Sequence, residues 1–212
     1  MTRTITLKNL YDKKFKTFAF SGVWADTMGQ PETSGTWIIY GPEKNGKTWF
    51  SLKLAEYLSS FDKTVYISAE EGTGKTFVDT CQRAGLNPKN KNLRFLEYLP
   101  LAELDQKLSE RRSARIVIID NITIYADELK NGGVRKLLKK HASKLLIFVA
   151  HEERNEPYTA TAKLCRKLAK IIIRVSGLTC FISGRCKGGR LVIDHQKASL
   201  FHGSNLPTQE EK

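Results

Sequence analysis

Residues 41–48 read Gly-Pro-Glu-Lys-Asn-Gly-Lys-Thr, the spacing G-x-x-x-x-G-K-[ST], and no other stretch constrains the fold as strongly. The octet follows the apolar run Thr36-Trp37-Ile38-Ile39-Tyr40 and precedes a helix-compatible stretch from Trp49 to Phe61. A strand, a glycine-framed loop and a helix in that order make a phosphate-binding loop. Its backbone N–H groups wrap a polyphosphate, and the helix N-terminus adds the positive end of its dipole. Gly41 and Gly46 permit the curvature. Lys47 is expected to reach the β- and γ-phosphates, and the Thr48 hydroxyl to ligate Mg²⁺. The expected nucleotide contacts are therefore Gly41, Pro42, Glu43, Lys44, Asn45, Gly46, Lys47 and Thr48, with Trp49 following in the helix. A glycine turn that matches by chance is the alternative, and the strand–loop–helix context argues against it.

A second match competes. Ala69-Glu70-Glu71-Gly72-Thr73-Gly74-Lys75-Thr76 fits if alanine opens the loop, and it also follows a strand-like run, 64–68. The first copy is favoured because glycine stands where the chain must turn sharply. Choosing Lys75 would also place two carboxylates inside an anion-binding loop, which is electrostatically poor.

The chain has 212 residues, enough for one α/β domain with a sizeable core. No apolar run approaches the roughly 20 residues that span a bilayer. The segment 1–4 lacks the apolar stretch of a signal peptide, so a cytoplasmic protein with no membrane partner is expected. Cys81, Cys165, Cys180 and Cys186 form no C-x-x-C pair and read as free thiols. The formal net charge of +13 favours an anionic partner, of which nucleic acid is the commonest. The excess is clustered: 157–193 holds no Asp or Glu but carries Lys163, Arg166, Lys167, Lys170, Arg174, Arg185, Lys187 and Arg190. A second acid-free basic stretch is 130–144. Solvated helix faces are the alternative explanation of both, and the clustering as well as the total charge argues for a polyanion.

Residues 1–35 form a basic, partly aromatic lead-in punctuated by Gly22, Gly29 and Pro31, and 206–212 a tail that frays at 209–212. Between them, 36–205, apolar runs alternate with helical patterns. Strands are expected at 36–40, 64–68, 93–97, 115–119, 145–150, 171–175, 179–184 and 190–194. Helices are expected at 47–60, 74–84, 101–111, 127–142 and 158–169. The continuous runs 116–119 and 145–149 fit strands buried on both faces of a parallel sheet. The last three strands are close in sequence and fit antiparallel hairpins at one edge, with Cys186-Lys187-Gly188-Gly189 as a turn. The fold expected is α/β, a mostly parallel central sheet flanked by helices with a C-terminal antiparallel edge.

Ile116-Val117-Ile118-Ile119-Asp120 is a hydrophobic strand ending in a carboxylate, the form of a Walker B element, so Asp120 is expected beside the Mg²⁺ of a bound ATP. Hydrolysis also needs a group that orients or deprotonates water. Glu70 and Glu71 follow the second strand, and strand C-terminal ends line the ligand crevice of open α/β sheets. His151 follows the 145–150 strand, where a polar side chain can contact the γ-phosphate; a structural histidine is the alternative. Arg185 and Lys187 lie near a hairpin tip, from which they could reach a neighbouring subunit's nucleotide.

Together these motifs resemble the minimal ATPase core of the RecA/RadA/KaiC superfamily over roughly 36–195. In that superfamily the second strand ends in the activating Glu, and Val65-Tyr66-Ile67-Ser68-Ala69-Glu70 is similar, which selects Glu70 over Glu71. The resemblance implies catalytic roles for Glu70, Lys47 and His151, metal contacts from Thr48 and Asp120, and ATP and Mg²⁺ as cofactors. It implies that the 145–150 strand lies between the phosphate-loop strand and the Walker B strand, and that 121–130 and 152–161 face DNA. Arg185-Cys186-Lys187-Gly188-Gly189 looks like the Lys-x-Arg finger turn of DnaB-type ring helicases, with the two cations exchanged. The loop departs from the family in Pro42, Glu43 and Lys44, where small residues are usual; Glu43 adds repulsion near phosphate, so slow turnover is expected.

The chain's short length is similar to small phage-encoded RecA-fold ATPases of recombination and strand annealing. The expectation is an oligomeric ATPase acting on DNA, single-stranded for preference, through its basic C-terminal third. A ring helicase or helicase loader, a KaiC-like switch that meets an acidic protein, and a small-metabolite kinase are the rivals. The last lacks an arginine-rich lid segment.

Overall fold

Every second residue of the strand that leads into the phosphate loop points to a different layer of the molecule. The computed structural model describes residues 4–202; the expected tail at 206–212 lies outside the described residues. In chain order the elements are α1 (Leu7–Tyr11), α2 (Gly22–Met28), β1 (Gly35–Gly41), α3 (Lys47–Ser59), β2 (Thr64–Ser68), α4 (Lys75–Arg83) and β3 (Leu93–Glu97). Then follow α5 (Leu101–Ser109), β4 (Ile116–Asp120), a 3₁₀ turn (Ile122–Tyr125), α6 (Gly133–Lys140), β5 (Leu145–Glu153) and β6 (Glu156–Pro157). The chain continues through α7 (Ala160–Leu168), β7 (Ile171–Ser176), β8 (Thr179–Gly184), β9 (Gly189–Val192) and α8 (His195–His202).

The sheet runs β3-β2-β4-β5-β1-β7-β8-β9, with β6 hydrogen-bonded to β5. From β3 to β7 the neighbours are parallel, and β8 and β9 add an antiparallel edge. β5 lies between β1 and β4, as the family resemblance implies. Trp37 and Ile39 of β1 belong to one hydrophobic cluster, with Phe50, Leu54 and Leu58 of α3. Ile38 and Tyr40 belong to the other, with Leu104 of α5, Leu137 of α6 and Cys165 of α7. The two-residue period of a strand therefore feeds both layers. Each fully buried Ile, Leu or Phe contributes about 1.5–3 kcal/mol to holding them together. Of the lead-in at 1–35, Phe18, Phe20 and Met28 are buried in the same cluster as Trp37.

Sequence and structure part at several boundaries. The helix expected over 127–142 is confined to α6, because Asn131 and Gly132 take left-handed backbone angles (φ 53° and 88°) just before it. The strand expected at 190–194 ends at Val192 and is followed by α8. Helices α1 and α2, inside the lead-in, and α8 carry no sequence signal strong enough to have been expected.

Candidate functional site

The C-terminal ends of β1, β2, β4 and β5 open on one edge of the sheet. Register fixes this: Ser68 pairs with Asp120, and Gly41 with His151. A cleft of about 570 Å³ lies there, lined by Lys47, Thr48, Glu70, Asp120 and His151 among others. Strand ends of this kind are where open α/β sheets bind ligands.

The loop is shaped by what cannot be added to it. A Cβ on Gly41 would lie 1.9 Å from the Val175 carbonyl oxygen of β7. Gly46 sits at φ 98°, and its Cβ would meet Leu178 at 2.6 Å. No side chain caps the first turn of α3, which leaves its end open to an anion. Lys47 Nζ donates to the Pro42 carbonyl at 2.7 Å, across the loop. Burial lowers the Lys47 pKa below that of an ordinary lysine, and the Asp120 carboxylate, then Glu43, oppose the shift.

Behind the loop Asp120 is deeply buried. Its Oδ2 accepts from Thr48 Oγ1 at 3.0 Å and from the Tyr66 hydroxyl. Burial raises its carboxyl above the usual range, the two hydroxyls pull it back, and Glu70 and Glu71 push it up further. Among the described residues no three His, Cys, Asp or Glu gather into a metal site. Thr48 and Asp120 alone are too few ligands for Mg²⁺, so the donor set fits a metal that arrives with phosphate oxygens and water.

Glu70 is held from two sides. His151 Nε2 lies 3.1 Å from both carboxylate oxygens, and Asn121 Nδ2 donates to Oε2 at 3.1 Å. The Asp120–Asn121 peptide is cis. His151 continues into Glu152, which Arg174 of β7 grips through two bonds of 2.7 Å.

Trp49 lines the cleft, with Arg83 of α4 and Lys197 of α8 placed 5.0 and 5.3 Å from its ring centre. Arg83 and Lys197 also line the cleft and were not expected there from sequence; for Lys197 the reason is that α8 carried no signal. The side chain of Asn45 is engaged within the protein. It braces the loop against the β7–β8 turn, accepting from Gly177 N at 2.7 Å, and does not line the cleft. Lys75 does not line the cleft either, whereas Lys47 does and is only 7% exposed.

Arg185 and Lys187 occupy the β8–β9 turn. Gly184 pairs with Ile171 at the start of β7, so this turn lies on the opposite edge of the sheet from the phosphate loop. Neither side chain lines its own chain's cleft.

The basic stretch 157–193 is partly neutralised by acids from elsewhere. Glu156 pairs with Lys163 and Arg166, Glu32 with Lys170, and Glu152 with Arg174. Among the described residues Lys167, Arg185, Lys187 and Arg190 have no ion-pair partner. The segments 121–130 and 152–161 meet, Thr161 donating to the Ala126 carbonyl at 3.3 Å. Ile124 and Tyr158 are exposed there, and no helix among the described residues is long and apolar enough to cross a membrane.

No family model and no curated protein sequence matches the chain. Among solved structures it is similar to the flagellar accessory protein FlaH from Methanocaldococcus jannaschii, with a TM-score of 0.60 at 18% identity over 83% of this chain and 91% of that one. At that identity the likeness is one of fold. With the strand order, the glycine-framed loop and the antiparallel edge, the fold is RecA-like.

Proposed function

We propose that this protein binds Mg-ATP, hydrolyses it, and acts on DNA in recombination, repair or replication. The observation that carries the reading is the convergence of Lys47, Thr48, Asp120 and Glu70 on one cleft at the strand ends. Lys47 exchanges the Pro42 carbonyl for phosphate oxygen. Bound Mg²⁺ supplies neutralisation of the phosphate charge, with Thr48 and Asp120 as its protein contacts. Glu70 takes the proton of the water that attacks the γ-phosphorus, and ADP and phosphate leave. His151 and Asn121 keep that carboxylate aimed. The setting is cytoplasmic.

The DNA part rests on the exposed Ile124 and Tyr158, on the adjoining loops that carry them, and on the basic surface. Base stacking on an exposed aromatic suits single strands. Arg185 and Lys187 stand across the sheet from their own cleft, so the proposed contact of these cations with nucleotide would be made to a second copy, in a homo-oligomer. A second reading, a nucleotide-dependent switch that meets a protein partner, is favoured by one observation: Glu32, Glu152 and Glu156 consume much of the C-terminal positive charge.

The test is ATP hydrolysis with and without single-stranded DNA. Lys47→Ala is expected to lose at least about a hundredfold, the scale of removing one transition-state charge contact, while Lys75→Ala stays near wild type. An active Lys47→Ala beside an inactive Lys75→Ala rejects the loop assignment. Activity indifferent to DNA, with no DNA binding in either nucleotide state, moves the function to the protein switch. Strand unwinding identifies a helicase.

A further inference from the structure

We infer that Tyr66 is a positioning residue for the metal-shell carboxylate, a role that rests on the nucleotide reading above. Tyr66 is fully buried in β2, between α3 and the sheet, where the apolar pattern calls for nothing more than phenylalanine. A buried hydroxyl is costly unless partnered, and this one is partnered twice. It donates to Asp120 Oδ2, and Ser51 Oγ of α3 lies 2.8 Å from it.

Proton counting fixes the direction. An ionised carboxylate only accepts, and each hydroxyl has one proton. Tyr66 spends its proton on Asp120, so the single proton of Ser51 is shared between the Tyr66 oxygen at 2.8 Å and the Thr48 carbonyl at 3.0 Å. Thr48 donates to the same Oδ2 at 3.0 Å. Two donors from two elements, β2 and α3, thus hold one oxygen of Asp120. The other carboxylate oxygen accepts from no side chain among the described residues. The carboxylate is clamped from behind at one oxygen, and the second is left for the metal shell. Thr48, engaged as a donor, keeps its lone pairs for the metal. Partners behind metal contacts of this kind typically alter metal affinity by about 10–100-fold when removed.

The experiment is equilibrium binding of mant-ATP titrated with Mg²⁺, on wild type, Tyr66→Phe and Ser51→Ala. Tyr66→Phe is expected to raise the Mg²⁺ midpoint about tenfold, with nucleotide affinity in chelator unchanged. Ser51→Ala shifts the midpoint less, in the same direction, because it frees the tyrosine hydroxyl without removing it. An unshifted midpoint in Tyr66→Phe overturns the inference. So does an equal loss of binding with and without metal, which assigns Tyr66 to packing alone. If Tyr66→Phe does not fold, an unshifted midpoint in Ser51→Ala overturns it. A wild type that binds no nucleotide under either condition takes the nucleotide reading down as well, whereas an unshifted variant beside a metal-dependent wild type removes this inference only.

Discussion

Glu70 has no Lys or Arg partner among the described residues; it is aimed by an imidazole at 3.1 Å and an amide at 3.1 Å. Such a carboxylate can take a proton from water without breaking a bond to a lysine or arginine. Glu70→Gln keeps the shape and a bond to one of the two partners, and removes the base. Nucleotide binding should stay within about threefold, and hydrolysis should fall by about 10²–10⁴-fold, the usual worth of a general base. Equal rates for variant and wild type in a phosphate-release assay would reject Glu70 as the base. The position of this residue was legible in the sequence because it closely follows the end of a strand, and strand ends converge. The Tyr66–Ser51 support was not legible, since nothing in a hydroxyl's identity says which carboxylate lies behind it. For Asn45 the octet gives the place of the backbone in the loop, while the engagement of its side chain by Gly177 was not legible either.

Elements were legible where one period dominates. The runs in β1, β4 and β5 are apolar without interruption, so both their type and their burial follow from the pattern. Helices α1, α2 and α8 were missed because segments of five to eight residues are too short to show a helical period. The region around α6 shows how contact overrides pattern. Its C-cap residue His141 is buried, with Nε2 2.8 Å from Asp105 Oδ1 of α5, and Lys140 pairs with the same carboxylate. This adds a polar tie between two helices that also share a hydrophobic cluster through Leu104 and Leu137. The Lys140 ammonium first, and His141 next, hold the Asp105 carboxyl below its ordinary 3.8. A depressed carboxyl stabilises the fold fully above its unfolded value and loses that contribution as pH falls through the lower folded value. Asp105→Asn should therefore cost about 0.5–1 kcal/mol near neutrality, since the pair is partly exposed and screened by solvent. In urea unfolding the gap between wild type and variant should hold steady from neutral pH down to 3.8 and close below it. A gap that widens in acid would show that Asp105 is not the group responsible.

At the scale of the whole molecule the deciding quantity is how much of the +13 charge is available to a polyanion. Composition places eight cations in 157–193, and composition cannot show that Glu32, Glu152 and Glu156 reach into their midst. Lys163, Arg166, Lys170 and Arg174 are engaged, which leaves Lys167, Arg185, Lys187 and Arg190 for phosphates. Counterion release gives a slope of log affinity against log salt of about −0.7 per phosphate contacted on a single strand. Were all eight cations in contact, the slope would be near −6; with the unpaired four it should be near −3. Anisotropy of a labelled single-stranded oligonucleotide, titrated across a salt series, reads this directly. Glu156→Gln then supplies the internal check, because it releases Lys163 and Arg166 beside the exposed Tyr158. It should steepen the slope by about one to one and a half and tighten binding at low salt. A wild-type slope near zero, unchanged in Glu156→Gln, means that phosphates are not what this surface meets. The positive charge would then serve an acidic protein partner, with the nucleotide cleft on the opposite account left untouched.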